Sequence, residues 1–298
     1  MKNSTILLNA IILIILTLGC EKSDNDLDTE IKDGFSLIIN DSITYNSNSI
    51  DFYDFSSHLI YLKTGNNFSY SNRGTFSIKV DNEEIYTGQM FPMYSSYIPR
   101  GPVIRCAPTF YNDYIIPIGF NQFIDTVGNS NDDPRNDSRI IEALRKYNQY
   151  KKGLSSEILS VQKLTDNKVK ITLGLTNLDS DNLLYLNPYK MGLELFHYFT
   201  NGLIIKDSQN NSYTHKLTIE EPEPWDSWKT DWLTVIKGNE TKTISVIYND
   251  FDILPSGEYT ALFNYPGLSS QIEKEELKQN SGRIWLGQLN NTKTIDIE

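Results

Sequence analysis

The clearest periodicity in this sequence lies in Lys168-Val169-Lys170-Ile171-Thr172-Leu173-Gly174-Leu175-Thr176. Every second residue from Val169 to Leu175 is apolar, and the residues between them are polar or small. Successive side chains of an extended chain point to opposite faces, so this alternation gathers the apolar side chains on one face. The stretch is therefore predicted to be a β-strand with one buried face.

The same alternation recurs in residues 243–248 and 258–265. Between them, Leu254-Pro255-Ser256-Gly257 has proline and glycine where a type I turn favours them, which predicts two neighbouring strands. Residues 192–199 are apolar on both sides and are predicted to form a central strand. Shorter candidate strands are residues 204–206, 212–217, 233–236, 283–286 and 294–297. Short strands separated by turn residues predict an antiparallel sandwich rather than alternating strands and helices.

The C-terminal part of the chain also resembles a known class of domain. Residues 171–177, residues 184–188 and Gly257-Glu258-Tyr259-Thr260-Ala261 are similar to segments of bacterial immunoglobulin-like domains. The resemblance implies that residues 155–298 form an immunoglobulin-like antiparallel β-sandwich. It is structural in kind and implies no activity, because one fold hosts many unrelated functions.

Upstream, residues 33–130 are predicted to form a separate, β-rich N-terminal domain. Its clearest strands are residues 35–39, 59–62 and 75–80. Residues 90–123 contain five prolines, which sheets tolerate only at edges and bends. We therefore expect a long packed loop in that region, followed by a strand at residues 114–120.

A linker and helix, residues 131–154, are predicted to connect the two domains. The stretch Asn129-Ser130-Asn131-Asp132-Asp133-Pro134 is polar, and Asp137 is placed to cap the helix that follows. Gly153 suits the C-terminal end of that helix. Its apolar face consists of Ile140, Ile141, Leu144 and Tyr147. The fold class predicted for the whole chain is mainly β, with two β domains and this one substantial helix.

The first nineteen residues are predicted to be a signal peptide. Lys2 supplies a positive charge, and the apolar run at residues 6–16 is shorter than the roughly 20 residues that span a bilayer. Thr17-Leu18-Gly19-Cys20 resembles the lipobox of bacterial lipoproteins, although Thr17 stands where that family usually has leucine. The resemblance implies cleavage before Cys20 and acylation of Cys20, with palmitate among the acyl chains, which would hold the protein on a membrane. An ordinary signal peptide followed by an incidental cysteine is the alternative.

Residues 20–32 are predicted to be a disordered acidic tether. Residues 21–30 include five acids, one leucine and no aromatic residue, too little apolar surface to offset the entropy of ordering. Such a run behind the lipid cysteine resembles the surface-export signal of Bacteroidetes lipoproteins, which implies a surface-exposed protein of the cell outer membrane. An ordinary polar tether is the alternative. Ser42 and Thr126, which follow Asp41 and Asp125, lie in tripeptides similar to the O-glycosylation acceptor of that phylum.

Composition and motifs argue against several classes of protein. A formal charge of −11 argues against nucleic acid and against anionic lipid as partners. Only Cys106 would remain as a thiol after lipidation, so no internal disulfide is expected. The sequence contains no phosphate-binding loop, metalloprotease helix or nucleophile elbow. We therefore expect no cofactor, no metal site and no catalytic residues.

Two groups of polar residues were considered as sites. Asp54, Ser56 and His58 are the residue types of a hydrolytic triad, but along an extended strand they would not converge on one point. The acids at 132–137 and 179–181 could ligate calcium, yet their spacing does not match the calcium-binding loop. Solvated turns are the expected explanation for both acidic groups.

Residues 220–232 are the segment most suggestive of ligand binding. Trp225, Trp228 and Trp232 lie there among acids and two prolines. Indole rings stack on sugar rings, and neighbouring carboxylates accept hydrogen bonds from hydroxyls, so a glycan surface is one interpretation. Aromatic anchors suit a protein partner equally well. In the third and simplest interpretation, the loop folds down and its tryptophans close the end of the sandwich.

These features favour a lipid-anchored cell-envelope protein with a non-enzymatic role in binding or structure, whose ligand is a glycan or a protein. One alternative is an enzyme that acts on polysaccharide, which would need two carboxyl groups facing each other in a cleft. Another alternative is an inhibitor or accessory subunit of an envelope complex.

Overall fold

The structure is a computed structural model that describes residues 34–97, 99–107, 111–121, 133–200, 202–216, 229–267 and 272–298. The prediction of a mainly β protein is confirmed, since 52% of the structure is strand and 13% is helix. Asp33–Glu298 form one compact unit. Among the described residues, no helix is both long enough and apolar enough to cross a membrane.

Upstream of the helix at residue 138, the described residues form nine strands. They are β1 (Phe35–Ile39), β2 (Ile43–Tyr45), β3 (Ile50–Asp54), β4 (Leu59–Leu62), β5 (Gly74–Val80), β6 (Glu83–Pro92), β7 (Gly101–Cys106), β8 (Ile115–Pro117) and β9 (Gly119–Asn121). One sheet has the order β2-β1-β5-β6-β7-β9 and is antiparallel except between β6 and β7. The predictions for β1 and β4 match the structure residue for residue, because both have clean apolar patterns.

The expectation of a long loop at residues 90–123 is wrong in part, because β7 runs through it. Pro102 is accommodated near the start of β7, where pairing with the parallel neighbour β6 begins only at Val103. Its missing N–H is therefore not needed on that side of the strand. The strand expected at 114–120 is present as two short pieces, β8 and β9.

Downstream of that helix, the described residues form twelve strands. They are β10 (Tyr150–Lys151), β11 (Leu154–Thr165), β12 (Lys168–Asn177), β13 (Leu183–Leu186), β14 (Leu203–Lys206), β15 (Ser212–Thr214), β16 (Leu233–Ile236), β17 (Thr241–Tyr248), β18 (Gly257–Pro266), β19 (Lys278–Gln279), β20 (Gly282–Ile284) and β21 (Gln288–Ile297). The sheets have the orders β11-β12-β17, β16-β13-β20-β19 and β15-β14-β18-β21. The alternating stretch at residues 168–176 lies in β12, which is the central strand of its sheet.

The prediction that β17 and β18 are neighbours is wrong. β17 pairs with β12, whereas β18 pairs with β14 and β21. The segment between them carries the chain from one sheet to another. Leu254 is buried in that segment, and Lys163 donates to its carbonyl oxygen at 3.0 Å.

The helices are α1 (Ser138–Lys146), α2 (Pro188–Met191), α3 (Leu193–Thr200) and α4 (Lys274–Leu277). The cap of α1 is as predicted, since the Asp137 carboxylate accepts from the Arg139 N–H. The predicted end at Gly153 is wrong: α1 ends at Lys146, and Asn148 supplies the left-handed residue there with φ 57°. Gly153 lies beyond β10.

The central strand predicted at residues 192–199 is also wrong, because that segment forms α3. A short run that is apolar on both sides does not distinguish a buried helix from a buried strand. Gly192, at φ 89°, starts the helix, and Phe196 and Thr200 are buried one turn apart. α1 is therefore not the only substantial helix among the described residues.

A single hydrophobic core extends from β1 to β21. β10 adds to the sheet β10-β3-β4-β8, where it pairs in parallel with β3. The Tyr114 hydroxyl donates to the Ile272 carbonyl oxygen at 2.7 Å, and the Lys274 ammonium donates to that of Leu62. These contacts hold the end of β4 and the residue before β8 against the start of α4. The predicted domain boundary near residues 131–154 stays a prediction.

Candidate functional site

A cleft of ≈ 830 Å³ lies between residues upstream and downstream of α1. We call it the junction cleft. Its lining comes from the β3–β4 turn, from β7 to β9, from the turn before α1, from α3 and from the start of β21. The polar and aromatic residues of its wall include Ser56, Ser57, His58, Arg105, Tyr111, Phe120, Arg135, Phe199, Gln288 and Asn290.

His58 lies on the wall of the cleft and is 9% exposed. Its Nδ1 lies 3.0 Å from the Tyr53 hydroxyl. Burial, with a smaller contribution from the positive charge of Arg135, lowers the pKa of His58 to about 3. Burial also raises the pKa of Tyr53. The histidine is therefore neutral at pH 7, and the tautomer of its ring decides which of the two groups donates in this hydrogen bond.

The hydroxyl of Ser56 is fully engaged. It donates to the Asp54 carboxylate at 2.7 Å, and it accepts from the Trp285 indole N–H at 3.0 Å and from the Leu154 N–H at 3.2 Å. Ser56 and Asp54 meet because β3 ends at Asp54 and the chain turns there, whereas sequence reasoning assumed an extended strand. The ring of His58 hydrogen-bonds to Tyr53 rather than to Ser56.

Behind the Ser56 wall lies a buried group of charges, Asp54, Asp179 and Arg283, which we call the ionic centre. The Arg283 guanidinium lies 2.9 Å from the Asp54 carboxylate and 3.8 Å from that of Asp179. It also lies over the Phe52 ring, 4.8 Å from the ring centroid. All five donors of a guanidinium are costly to bury, and carboxylate and aromatic partners offset that cost.

Asp179 differs from its prediction as a solvated turn residue, because it is 8% exposed. Its carboxylate accepts from the Lys152 N–H at 2.8 Å and from the Gly153 N–H at 3.1 Å. Asp181 agrees with the prediction: it is exposed and pairs with Lys151. The Lys151 ammonium lowers the pKa of Asp181.

The two arginines of the junction cleft differ in their partners. Arg135 donates to both carboxylate oxygens of Asp133 and, at 2.6 Å, to the Ile118 carbonyl oxygen. Burial of Asp133 opposes its ionisation, yet hydrogen bonding and charge from Arg135 hold the pKa of that carboxyl below its ordinary value. Arg105 is exposed and donates to the Asn121 amide oxygen at 3.4 Å. The described ion pairs include none with Arg105.

The remaining predicted site residues fall in several places. Trp232 is 8% exposed and packs against Phe199, with ring centroids 6.2 Å apart. This placement concerns Trp232 alone, and the three interpretations of the segment stay predictions. Trp225 and Trp228 lie outside the described residues. Their role in ligand binding stays a prediction.

Two further predictions concern modification. Ser42 is exposed in the turn between β1 and β2, so its hydroxyl is accessible as the O-glycosylation prediction requires. Cys20 and Thr126 lie outside the described residues. Cys106 is buried, and burial raises the pKa of its thiol.

The described part of the chain brings no three histidine, cysteine or acidic side chains together as a metal site would. The acids considered for calcium have other partners: Asp133 pairs with Arg135, and Asp137 with Arg139. Asp132 lies outside the described residues.

Comparisons with known proteins do not place the chain in a family. No protein-family model and no curated protein matches the sequence. A β-glucosidase from Kluyveromyces marxianus, solved with glucose, aligns with 49% of this chain and 14% of its own at 12% identity and a TM-score of 0.21. The yjhA protein from Bacillus subtilis aligns with 49% of this chain and 91% of its own at 13% identity and a TM-score of 0.24. Likenesses this weak carry no argument about fold or function.

Proposed function

We propose that this protein is a lipid-anchored component of the bacterial cell envelope that binds a glycan in the junction cleft without cleaving it. The observation that carries the proposal is the composition of the cleft wall. Aromatic rings of Tyr111, Phe120 and Phe199 line it together with the amides of Gln288 and Asn290. A volume of ≈ 830 Å³ lies within the range of small-molecule sites.

This wall suits a saccharide for two reasons. A sugar ring presents C–H groups that pack on aromatic faces, as an apolar surface does. It also presents hydroxyls, and amide side chains both donate to and accept from such groups. A purely apolar ligand would leave the Gln288 and Asn290 amides without partners, at a cost in free energy.

The proposal of binding rather than hydrolysis follows from the same wall. Glycosidases of the common classes place two carboxyl groups across the scissile bond, about 5–9.5 Å apart. The described residues that line the cleft include neither aspartate nor glutamate. The nearby Asp54 carboxylate is occupied by Ser56 and Arg283.

The anchor is the second part of the proposal. Residues 1–19 are the signal peptide, Cys20 carries the acyl chains, and residues 20–32 tether the folded part to the outer surface of the outer membrane. The support is the lipobox resemblance of Thr17-Leu18-Gly19-Cys20. Metabolic palmitate labelling tests it: the protein should take up label and the Cys20→Ser variant should not. Protease added to intact cells should degrade an outward-facing protein, and full protection would contradict surface display.

We also propose that residues 155–298 form an immunoglobulin-like sandwich, separate from a β domain at 33–130. The support is the approach of β11-β12-β17 to β15-β14-β18-β21, where Ser156 and Asn291 hydrogen-bond side chain to side chain. Limited proteolysis tests the division. Two resistant fragments separated by cleavage within 131–154 would support it, and a single resistant fragment would contradict it.

The glycan proposal is tested with the purified protein on an array of oligosaccharides, followed by calorimetry on those retained. Phe120→Ala should weaken binding at least about fivefold, since truncating a contact aromatic commonly costs more than 1 kcal/mol. Tyr213→Ala is the matched control, because Tyr213 is a half-buried aromatic residue outside the cleft wall. Failure of the folded protein to bind any saccharide would contradict the proposal, as would equal loss in both variants.

A further inference from the structure

We propose that the glycan of the junction cleft is acidic, and that Arg105 binds its carboxylate or sulfate group. This inference rests on the proposed function and adds the class of ligand. Four features of the described residues support it: the position of Arg105, its lack of a carboxylate partner, the contrast with Arg135, and the charge of the surrounding wall.

Arg105 is held at the cleft by its strand. Its neighbours in β7, Ile104 and Cys106, are fully buried, whereas the Arg105 side chain is exposed and lines the cleft. The strand is held by its neighbours, since Arg105 pairs with Phe91 of β6 and the start of β7 pairs with β9. The guanidinium therefore extends from a rigid element rather than from a loose loop, which reduces the entropy lost when it binds a ligand.

The hydrogen bond that Arg105 makes to Asn121 uses little of its donor capacity. A guanidinium has five N–H donors, and Arg105 donates one long bond of 3.4 Å to the neutral amide oxygen of Asn121. No carboxylate of the described residues forms an ion pair with it. Arg135 is the contrast, because Asp133 neutralises it bidentately and the Ile118 carbonyl oxygen takes a further donor.

The charge of the wall has the opposite sign to that of the protein. The chain carries 38 acidic residues and a formal charge of −11, yet no acid is among the described residues that line the cleft. His58 is neutral, because burial lowers its pKa to about 3. Arg105 thus leaves the cleft positive within an acidic surface, and a cleft of one sign concentrates ligands of the other.

The chemistry that fits is a sugar ring with an anionic group. A guanidinium binds carboxylate or sulfate oxygens with two parallel N–H···O bonds, which fixes orientation as well as affinity. Phe120, half-buried in the edge strand β9, also lines the cleft and would receive the ring face. Uronic acid saccharides and sulfated saccharides share this chemistry.

The test uses paired probes that differ only in charge. Oligomers of galacturonate, mannuronate and hyaluronan are compared by calorimetry with their carboxyl-reduced forms, and heparin oligomers with their desulfated forms. At least one acidic member should bind, and removal of its charge should weaken binding about tenfold or more, the loss expected for a charge-assisted pair. The pair that responds identifies carboxylate or sulfate as the group recognised.

Arg105→Gln should lose the same factor and should no longer distinguish the charged member from the uncharged one. Lys168→Gln is the control: it removes the same charge from the start of β12, outside the cleft wall, and should bind like the parent. Equal binding of charged and uncharged members, or full affinity in Arg105→Gln, would overturn this inference and leave the glycan proposal standing. Binding of no saccharide, charged or uncharged, would overturn both.

Discussion

The ionic centre and the junction cleft lie on opposite sides of the same residue, Ser56, and use arginine in opposite ways. Arg283 is buried between two carboxylates and two aromatic rings. Arg105 is exposed, and among the described residues it hydrogen-bonds to the neutral amide of Asn121. An arginine whose charge is matched within the protein contributes to the fold. One whose charge is unmatched at a cleft is available for a ligand.

The comparison also separates two kinds of contact between the halves of the chain. The ionic centre joins residues 229 positions apart, since Asp54 comes from β3 and Arg283 from β20. The cleft lies beside this junction, with Ser56 in its wall. We therefore expect substitutions in the ionic centre to change stability, and substitutions in the cleft wall to change binding alone.

The largest expected effect comes from Arg283→Met. Removing one partner of a buried ion pair leaves Asp54 charged and unpaired in the interior, which costs about 3–5 kcal/mol. Urea denaturation followed by tryptophan fluorescence measures the free energy of unfolding. A loss below about 1 kcal/mol would show that the ionic centre does not hold the halves together.

The matched control for that variant replaces both partners. Arg283→Met with Asp54→Leu leaves no unpaired charge at this pair, so the double variant should recover most of the loss, as buried pairs replaced by apolar residues commonly do. An additive loss in the double variant would mean that the two side chains act independently.

The next largest effect is expected for Gly153→Ala, which tests the packing behind Ser56. Gly153 has φ 75°, and an added Cβ would lie 2.1 Å from the Ser56 hydroxyl oxygen and 2.3 Å from the Asp54 carboxylate. Left-handed strain and overpacking together should cost about 2–4 kcal/mol in the free energy of unfolding. Gly65→Ala is the control, because it shares a positive φ of 87° and has nothing within 4 Å of an added Cβ. A similar loss in both variants would show that strain alone is responsible.

A pH-dependent effect is expected from His58, which lies on the cleft wall. Its pKa of about 3 in the folded protein lies below the ordinary value near 6.5 of an unfolded chain. Between these values the unfolded chain binds one more proton, so stability falls as the pH is lowered through that window, by about 1.4 kcal/mol per pH unit. His58→Asn removes this titration and suits the residue's φ of 52°.

Denaturation of both proteins at pH 4, 5 and 6 measures the difference in slope. The slope of the free energy of unfolding against pH should be smaller in His58→Asn by about 1.4 kcal/mol per pH unit, the contribution of one proton. His197, whose pKa burial and then His215 lower to about 4, is unchanged in both proteins and does not affect the difference. Equal slopes would mean that His58 is protonated in the folded state.

The smallest effect on stability is expected for Arg105→Gln. An exposed side chain without a carboxylate partner should change the free energy of unfolding by no more than about 0.5 kcal/mol. The same denaturation assay checks it beside Arg283→Met. A loss comparable with that of Arg283→Met would place Arg105 in the fold rather than in a binding surface.

The strands that sequence reasoning found are those whose faces differ. One face of β1 and of β12 is buried and the other is more exposed, whereas β4 is a short apolar run between turns. Both patterns indicate directly which residues are buried. The segment at 192–199 was misread because its short apolar run suits a helix as well as a strand, and as α3 it buries Phe196, His197 and Thr200. Pro102 led to a wrong prediction of a loop. It lies at the start of β7, before pairing with β6 begins, and where that pairing begins cannot be predicted from the residues around Pro102.

The candidate site was harder to predict because its residues lie far apart along the sequence. Asp54 and Arg283 meet only because two sheets pack, and nothing near either residue in the sequence indicates the other. The same holds for Arg105, which is distinguished from Arg135 by what surrounds it. Phe199 escaped notice because the segment around it was interpreted as a strand. The tryptophan segment drew attention by composition alone, and Trp232 is buried.

Amide hydrogen exchange on the purified protein, with and without the tightest-binding acidic oligosaccharide, tests the central claim most directly. If the junction cleft is the binding site, ligand should slow exchange in β7 around Arg105, in β9 around Phe120 and at the start of β21 around Gln288. Exchange in β12 and β17, far along the chain from these segments, should not change. Protection confined to residues 220–232, or absent from all three cleft segments while the ligand is bound, would contradict the account.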